Sequence, residues 1–277
     1  MKIHLVAIDL DGTLLNSAKE ITDTSAAILR AAREEAGVRV VLASARAPRS
    51  VLPFYRLLGL NSPMINYNGA LVFDPTGQRV IMHKPIPAKT ARGIVALARG
   101  MYGDVLVSGE VMDRWYTDRF DPAYNSEMGR ISPPDVVEPL EKWADQSMTK
   151  LLLLGEPKWL QDIFAAIRRD FAHQVTMVQT EEYMLQIMHA TVSKARALRV
   201  VAAEMGVNRE QVMAIGDNAN DVGMLRWAGV AVAMANAAPE ALAAADYVTD
   251  HHDADGAAHA IRRIILEGIT PSTRRGE

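Results

Sequence analysis

Several short runs of this chain are apolar at nearly every position rather than at every second one. Lys2 to Leu10, Val38 to Ala43, Met64 to Asn66, Val212 to Ile215 and Val230 to Ala233 all read this way. A strand with one face in water alternates apolar and polar side chains, because successive side chains point to opposite faces. A run that is apolar throughout has both faces buried, as in a parallel sheet covered by helices. The segments between these runs supply the helices. Thr24 to Ala36 has Ser, Thr and Asp near its start and Gly37 after its end. Pro48 opens a second helix that reaches Leu58, and Gly59 stops it. Lys194 to Met205, Asp221 to Trp227, Pro239 to Ala244 and Ala257 to Leu266 read as further helices, with Tyr247 and Val248 as a last edge strand. Strand and helix in alternation predict an α/β chain built on a parallel sheet.

The middle of the chain has another texture. Ala70 to Phe73 and Arg79 to His83 flank Pro75-Thr76-Gly77 and read as a hairpin. Pro85 and Pro87 then bracket a linker. Thr90 to Arg99 and Trp159 to Phe171 read as helices. Val105 to Val107, Arg114 to Thr117, Leu151 to Leu154, Val175 to Gln179 and Tyr183 to Met188 read as strands. This predicts an α+β domain inserted between two halves of the first one. The expected boundaries are residues 1–84 and 190–277 for the core and 85–189 for the insertion.

Bulk properties narrow the partners. The chain has 277 residues, ample for a core that needs no staples, and no cysteine. Disulfides and thiolate ligands are therefore excluded, and any metal must sit on oxygen or histidine. The formal net charge is −3, without a long basic run, which argues against nucleic acid as the main partner. No stretch approaches the ~20 apolar residues that span a bilayer, and the N-terminus lacks a signal-peptide pattern. The expectation is a cytoplasmic protein with no membrane partner. Its oligomeric state is not legible.

Four polar clusters follow apolar strands or open helices. Asp9-Leu10-Asp11-Gly12-Thr13 comes directly after the first strand. Open parallel sheets place their sites at the carboxyl ends of strands. Two carboxylates two residues apart on an extended chain point to the same side and repel unless a cation or a shared proton offsets the charge. Mg²⁺ suits carboxylates together with phosphate oxygens. A turn with both aspartates as caps is the competing explanation. Ser44 follows the second strand, where its hydroxyl can donate to a phosphate oxygen and the following helix start adds backbone donors; the competing explanation is a Ser cap with Arg46 in a surface ion pair. Lys194 opens a helix, where its charge opposes the helix dipole unless an anion lies between. Gly216-Asp217-Asn218-Ala219-Asn220-Asp221 makes an oxygen-rich loop after another strand, or a polar turn with a cap. Each cluster alone has an ordinary explanation, but together they fall where a parallel sheet gathers its strand ends and helix starts.

Asp9-Leu10-Asp11-Gly12-Thr13, Ser44, Lys194 and Gly216-Asp217-x-x-Asn220-Asp221 resemble the four motifs of the haloacid dehalogenase superfamily. Asn68-Gly69-Ala70 and Ala245-Asp246-Tyr247-Val248-Thr249 resemble its Cof-like subgroup, which carries a large inserted cap. The resemblance implies a Rossmann-like parallel sheet core with an α+β cap. It implies Asp9 as a nucleophile forming an aspartyl phosphate and Asp11 as general acid and base. Ser44, Lys194 and Asn220 would hold phosphoryl oxygens. Mg²⁺ would be held by the Asp9 and Asp217 carboxylates and the Asp11 backbone carbonyl, with Asp221 acting through water or from a second layer. The implied activity is hydrolysis of a small phosphorylated metabolite, a sugar phosphate or similar monoester.

Ala45, Ala195 and Ala235 stand where the family usually has glycine, which affects pocket shape but removes no catalytic group. Asp11 disfavours a dehalogenase, which lacks this second aspartate, and a phosphate-pumping ATPase would need membrane spans. A phosphomutase and a non-catalytic phosphometabolite-binding protein remain alternatives. In the cap, Arg114, Tyr116, Arg119, Tyr124, Arg130 and Tyr183 are candidate substrate contacts, each also explicable by surface or cap-core packing.

Overall fold

The computed structural model describes residues 2–121, 124 and 133–269. The chain divides into two compact units, Met1–Met82 with Ser193–Glu277, and His83–Val192. The first half of the core unit runs β1 (Leu5–Ile8), α1 (Asp23–Glu34), β2 (Arg39–Leu42), α2 (Pro48–Leu57), β3 (Met64–Asn66), β4 (Leu71–Asp74) and β5 (Arg79–His83). The inserted unit contributes α3 (Ala88–Met101), β6 (Leu106–Val111), β7 (Arg114–Thr117), β8 (Val136–Val137), β9 (Lys150–Leu154), α4 (Pro157–Phe171), β10 (Val175–Glu181) and β11 (Met184–His189). The core resumes with α5 (Lys194–Glu204), β12 (Val212–Gly216), α6 (Val222–Trp227), β13 (Val230–Ala233), α7 (Pro239–Leu242), β14 (Tyr247–Val248) and α8 (Gly256–Ile261).

Five core strands form a parallel sheet in the order β14-β13-β12-β1-β2. Every residue of β1 is buried, as its unbroken apolar run requires. Its side chains split between two layers. Val6 and Ile8 pack with Ile28 and Leu29 of α1 and Ile261 of α8. Leu5 and Ala7 pack with Leu198 and Val201 of α5 and Leu225 of α6. Burying one such aliphatic side chain contributes about 1.5–3 kcal/mol. Helix α1 starts where Thr22 Oγ1 accepts a hydrogen bond from Ser25 N at 3.0 Å, a side-chain cap for an otherwise unpaired donor.

The sequence predicts β3 as a third parallel strand, but only one parallel bridge, Ala43↔Ile65, joins it to the chain beyond β2. It belongs instead to a three-stranded β3-β4-β5 sheet, in which it pairs antiparallel with β4. The cause lies in the turn that follows. Tyr67, Asn68 and Gly69 have φ of 50°, 54° and 98°, all left-handed, and they reverse the chain into β4. Such a conformation costs about 1–3 kcal/mol for a non-glycine residue and persists only where the surroundings impose it. Tyr67 is fully buried, so packing supplies that constraint.

The inserted unit is a six-stranded sheet in the order β10-β11-β9-β6-β7-β8, antiparallel except at β7–β8. Helices α3 and α4 cover one face, where Ile94, Leu160 and Ile163 meet Val107, Leu151 and Leu153. The other face carries a smaller cluster of Leu106, Leu152, Leu154 and Met184, with Tyr124 and Tyr183 against it. Strand β9 is thus apolar on both faces. Among the described residues no helix is long and apolar enough to cross a membrane.

Candidate active site

Strand β1 lies between β12 and β2, so three carboxyl ends meet where the direction of strand order reverses, the usual place for a site in an open parallel sheet. Asp9 continues from β1, its N–H donating to Ile215 O at 3.1 Å. Ser44 follows β2 and Asp217 follows β12. Lys194 is the first residue of α5 and is fully buried. Its Nζ donates to Asp9 Oδ1 at 2.5 Å and to Asp221 Oδ1 at 2.7 Å. The anion expected between Lys194 and its surroundings is therefore a pair of carboxylates from the chain itself.

Asp221 is fully buried and both its oxygens are engaged. Oδ2 accepts from the backbone N–H groups of Asp217 and Asn218, each at 3.1 Å. This carboxylate shapes the 217–221 loop and anchors Lys194. Asp217 is more open. Its Oδ1 accepts from Thr13 Oγ1 at 3.1 Å, and its backbone carbonyl accepts from Ala238 N at 2.8 Å. Gly12 has φ of 79°, and a Cβ on it would lie 2.4 Å from Asp217 Oδ2. Only glycine allows the loops after β1 and β12 to approach this closely.

Asp9, Asp217 and Asp221 each offer an oxygen, all within 4.8 Å of one another. Burial pushes the Asp9 carboxyl well above the ordinary carboxylate range, Lys194 pulls it back, and the Asp221 and Asp217 charges push it up again. Burial also raises Asp217, with Asp221 adding to the effect. For Lys194, burial works against the charge, but Asp221 and Asp9 outweigh it and hold the pKa above the ordinary lysine value. Three carboxylates thus face one ammonium. Their donors are all oxygen and their charge is in excess, which fits a hard divalent cation.

Asp11 sits differently. Arg46 forks onto it, Nε to Oδ2 at 2.7 Å and Nη2 to Oδ1 at 2.6 Å, and Lys19 Nζ reaches Oδ1 at 3.0 Å. Burial alone would raise this carboxyl, but Arg46 and then Lys19 outweigh it and hold the pKa below its ordinary value. Ser44 is buried, and its Oγ accepts from Arg46 N at 3.1 Å, which leaves the hydroxyl proton free to donate. Asn220 is exposed, its Nδ2 donating to Asn68 Oδ1 at 2.9 Å.

The structure therefore brings together Asp9, Asp217, Asp221 and Lys194, with Asp11, Ser44 and Asn220 on loops at the same sheet edge. Sequence reasoning gave no role to Thr13, Lys19, Asn68 or Asn236, and considered Arg46 only for a surface ion pair. Asn236 Nδ2 donates to Gly12 O at 2.8 Å and ties the loop after β13 to the loop after β1. A polar residue just past the apolar strand Val230 to Ala233 was a usable signal for it.

Within the inserted unit the sequence-nominated residues are spread over several environments. Tyr116 lies on the helix-covered face, stacked on Trp143 at 5.9 Å, with the Arg114 guanidinium 5.4 Å from its ring centre. Both line a cleft of about 480 Å³ with Glu138 and Lys142. Arg119 donates to the Asp104 carbonyl. Tyr124 and Tyr183 meet on the opposite face, their ring centres 6.1 Å apart. Arg130 lies outside the described residues.

The model of haloacid dehalogenase-like hydrolases matches residues 6–261. Phosphatase YwpJ of Bacillus subtilis (strain 168) is 30% identical over 293 residues, covering 95% of this chain and 100% of the relative. The 5-amino-6-(5-phospho-D-ribitylamino)uracil phosphatase YitU of the same organism is 27% identical, covering 94% and 97%. A haloacid dehalogenase-like hydrolase from Bacteroides thetaiotaomicron superposes with a TM-score of 0.86 at 28% identity, covering 95% of this chain and 100% of that one. With the family match running from the first strand of the core to its last helix, the chain belongs to the haloacid dehalogenase-like hydrolases.

Proposed function

We propose that the chain hydrolyses the monoester of a small phosphorylated metabolite through an aspartyl phosphate on Asp9, with Mg²⁺ as cofactor. The observation that carries this reading is the buried Lys194 held between Asp9 and Asp221, with Asp217 in the same cluster. Lys194 fixes one Asp9 oxygen and opposes the rise that burial imposes on this carboxyl, which leaves the other oxygen as nucleophile. The Asp9 oxygen forms a bond to phosphorus while the ester P–O bond breaks, and Asp11 gives its proton to the departing oxygen. Asp11 then takes a proton from water, which attacks phosphorus and frees Asp9. Arg46 and Lys19 hold Asp11 ionised, so Asp11 leaves that fork and takes up a proton from solvent before it acts as the acid. Ser44 and Asn220 supply neutral donors to the phosphoryl oxygens.

Asp9, Asp217 and the Asp11 carbonyl would hold Mg²⁺, with Asp221 orienting the 217–221 loop behind them. When bound, the ion supplies positive charge against the phosphoryl oxygens and the clustered carboxylates. A sugar phosphate or similar monoester is the substrate class. The name of YitU, a phosphatase of a phosphoribityl compound, supports a phosphate on a sugar-derived chain.

The test is phosphate release from a panel of small phosphate esters, with and without Mg²⁺, by the parent and by Asp9→Asn. Metal-dependent release is expected from the parent, falling by about 10³-fold or more in the variant. Equal release by both proteins would remove Asp9 as nucleophile. Turnover that needs a bisphosphate would point to a mutase, and ester binding without release to a binding protein.

A further inference from the structure

The left-handed turn Tyr67-Asn68-Gly69 meets the backbone at Ser44, the residue before Lys194, and the Asn220 side chain. Its backbone is pinned to the loop after β2: Asn68 N donates to Ser44 O at 3.0 Å and Tyr67 N to Arg46 O at 3.2 Å. Asn66 Nδ2 donates to the same Arg46 carbonyl at 3.3 Å. Gly69 lies against the start of α5, where a Cβ would come within 2.3 Å of Ser193 O, the residue before Lys194. The Asn68 side chain accepts from Asn220 Nδ2 at 2.9 Å. One short segment therefore borders the loop after β2 at Ser44, the start of α5 at Ser193, and Asn220 in the 217–221 loop.

We infer that Asn68 is a positioning residue for phosphate recognition, fixing which end of the Asn220 amide faces the ligand. This rests on the proposed role of Asn220. An exposed amide rotates freely and presents either its NH₂ or its carbonyl. The carbonyl would repel a phosphoryl oxygen. Accepting one Asn220 N–H at Asn68 Oδ1 commits the NH₂ end to this side and leaves its second proton for the phosphate. Asn68 reaches that place because its backbone is left-handed at φ of 54°. Asparagine tolerates that conformation better than most residues. The strained turn thus has a use: it aims a side chain that no regular strand end would aim.

The test compares Asn68→Gly, Asn220→Ala and the double variant. Glycine keeps the left-handed backbone and removes only the side chain. Two readouts are taken, kcat/KM on para-nitrophenyl phosphate with Mg²⁺ and orthophosphate affinity by calorimetry. Asn68→Gly is expected to lose about tenfold in each, with its melting temperature near that of the parent. In the Asn220→Ala background the same change is expected to lose nothing further, because the group it aims is gone. Asn68→Asp, which keeps an acceptor oxygen and tolerates the turn, should lie closer to the parent than the glycine variant does. Losses that multiply in the double variant, an Asn68→Gly protein equal to the parent, or a loss matched by early melting would each overturn the inference. A parent that binds orthophosphate but releases none from any ester would fail the proposed hydrolysis while the affinity measurement still decides the role of Asn68. A parent that binds no orthophosphate would overturn both.

Discussion

The core and the inserted unit are both α/β structures, yet their polar groups obey different rules. In the core sheet all strands are parallel, both faces are covered, and a polar side chain can emerge only at a strand end. Asp9, Ser44 and Asp217 are each found there, and the strand order makes those ends neighbours. In the inserted unit the sheet is largely antiparallel, so strand ends of both kinds occur at each edge. Helices cover one face and leave the other with its own side chains. Polar groups there are distributed by face, and face depends on pairing register. A parallel sheet announces its site in sequence. An antiparallel one hides it until the register is known.

The largest effect that would sharpen this contrast is expected from Lys194→Met. In the core, Lys194 is the buried cation between two buried carboxylates, and removing it leaves both unpaired. In metal-free buffer the variant is expected to lose about 3–5 kcal/mol of stability, read by denaturant unfolding, with faster hydrogen exchange in β1 and β12. An unchanged stability would show that the pair is not what holds the site together.

Tyr116→Ala gives the corresponding test in the inserted unit. If Tyr116 serves packing on Trp143, the variant is expected to lose about 1–3 kcal/mol, and Tyr116→Phe to keep most of it. A raised KM with unchanged melting would restore Tyr116 as a substrate contact and break the comparison.

The smallest effect is expected from pH at His83. Its Nε2 lies 2.8 Å from Thr149 Oγ1, which also accepts from Met112 N. A neutral imidazole can accept the Thr149 proton, and a protonated one cannot. Burial holds the His83 pKa below the ordinary value of 6.5. A group depressed in the folded state adds stability above its unfolded pKa and loses it as pH falls through the folded one. Melting temperature is therefore expected to drop slightly from about pH 7 to about pH 5, and His83→Gln to flatten part of that slope. A slope that is identical in the variant would remove His83 as its source.

The same contrast explains what the sequence made legible. The core elements and the four polar clusters could be read because each apolar run ends at a polar residue. The Arg46–Asp11 fork was less accessible, since two residues 35 apart share no local pattern that would pair them. The role proposed for Asn68 depends on three successive left-handed residues, and while Asn68 and Gly69 favour that conformation, nothing in the sequence announces it at Tyr67. Arg114 and Tyr116 could be nominated as polar or aromatic but not assigned a face. That assignment required the β6–β7 register, in which Gly109 faces Tyr116 and Val111 faces Arg114.

The position of β1 also sets an order of events during synthesis. Leu5 to Ile8 pair with Val212 to Ile215, so β1 lacks one neighbour until synthesis has passed residue 215. The inserted unit, complete by Val192, can close its own core earlier. Until β12 arrives, β1 presents an apolar strand with one open edge, a template for pairing with other chains. Closure then joins segments more than 200 residues apart in one step, the kind of long-range pairing that slows folding. Asp9 and the Asp217 loop come into register only at that step, so the site cannot form before β12 has been made and the open edge of β1 has closed.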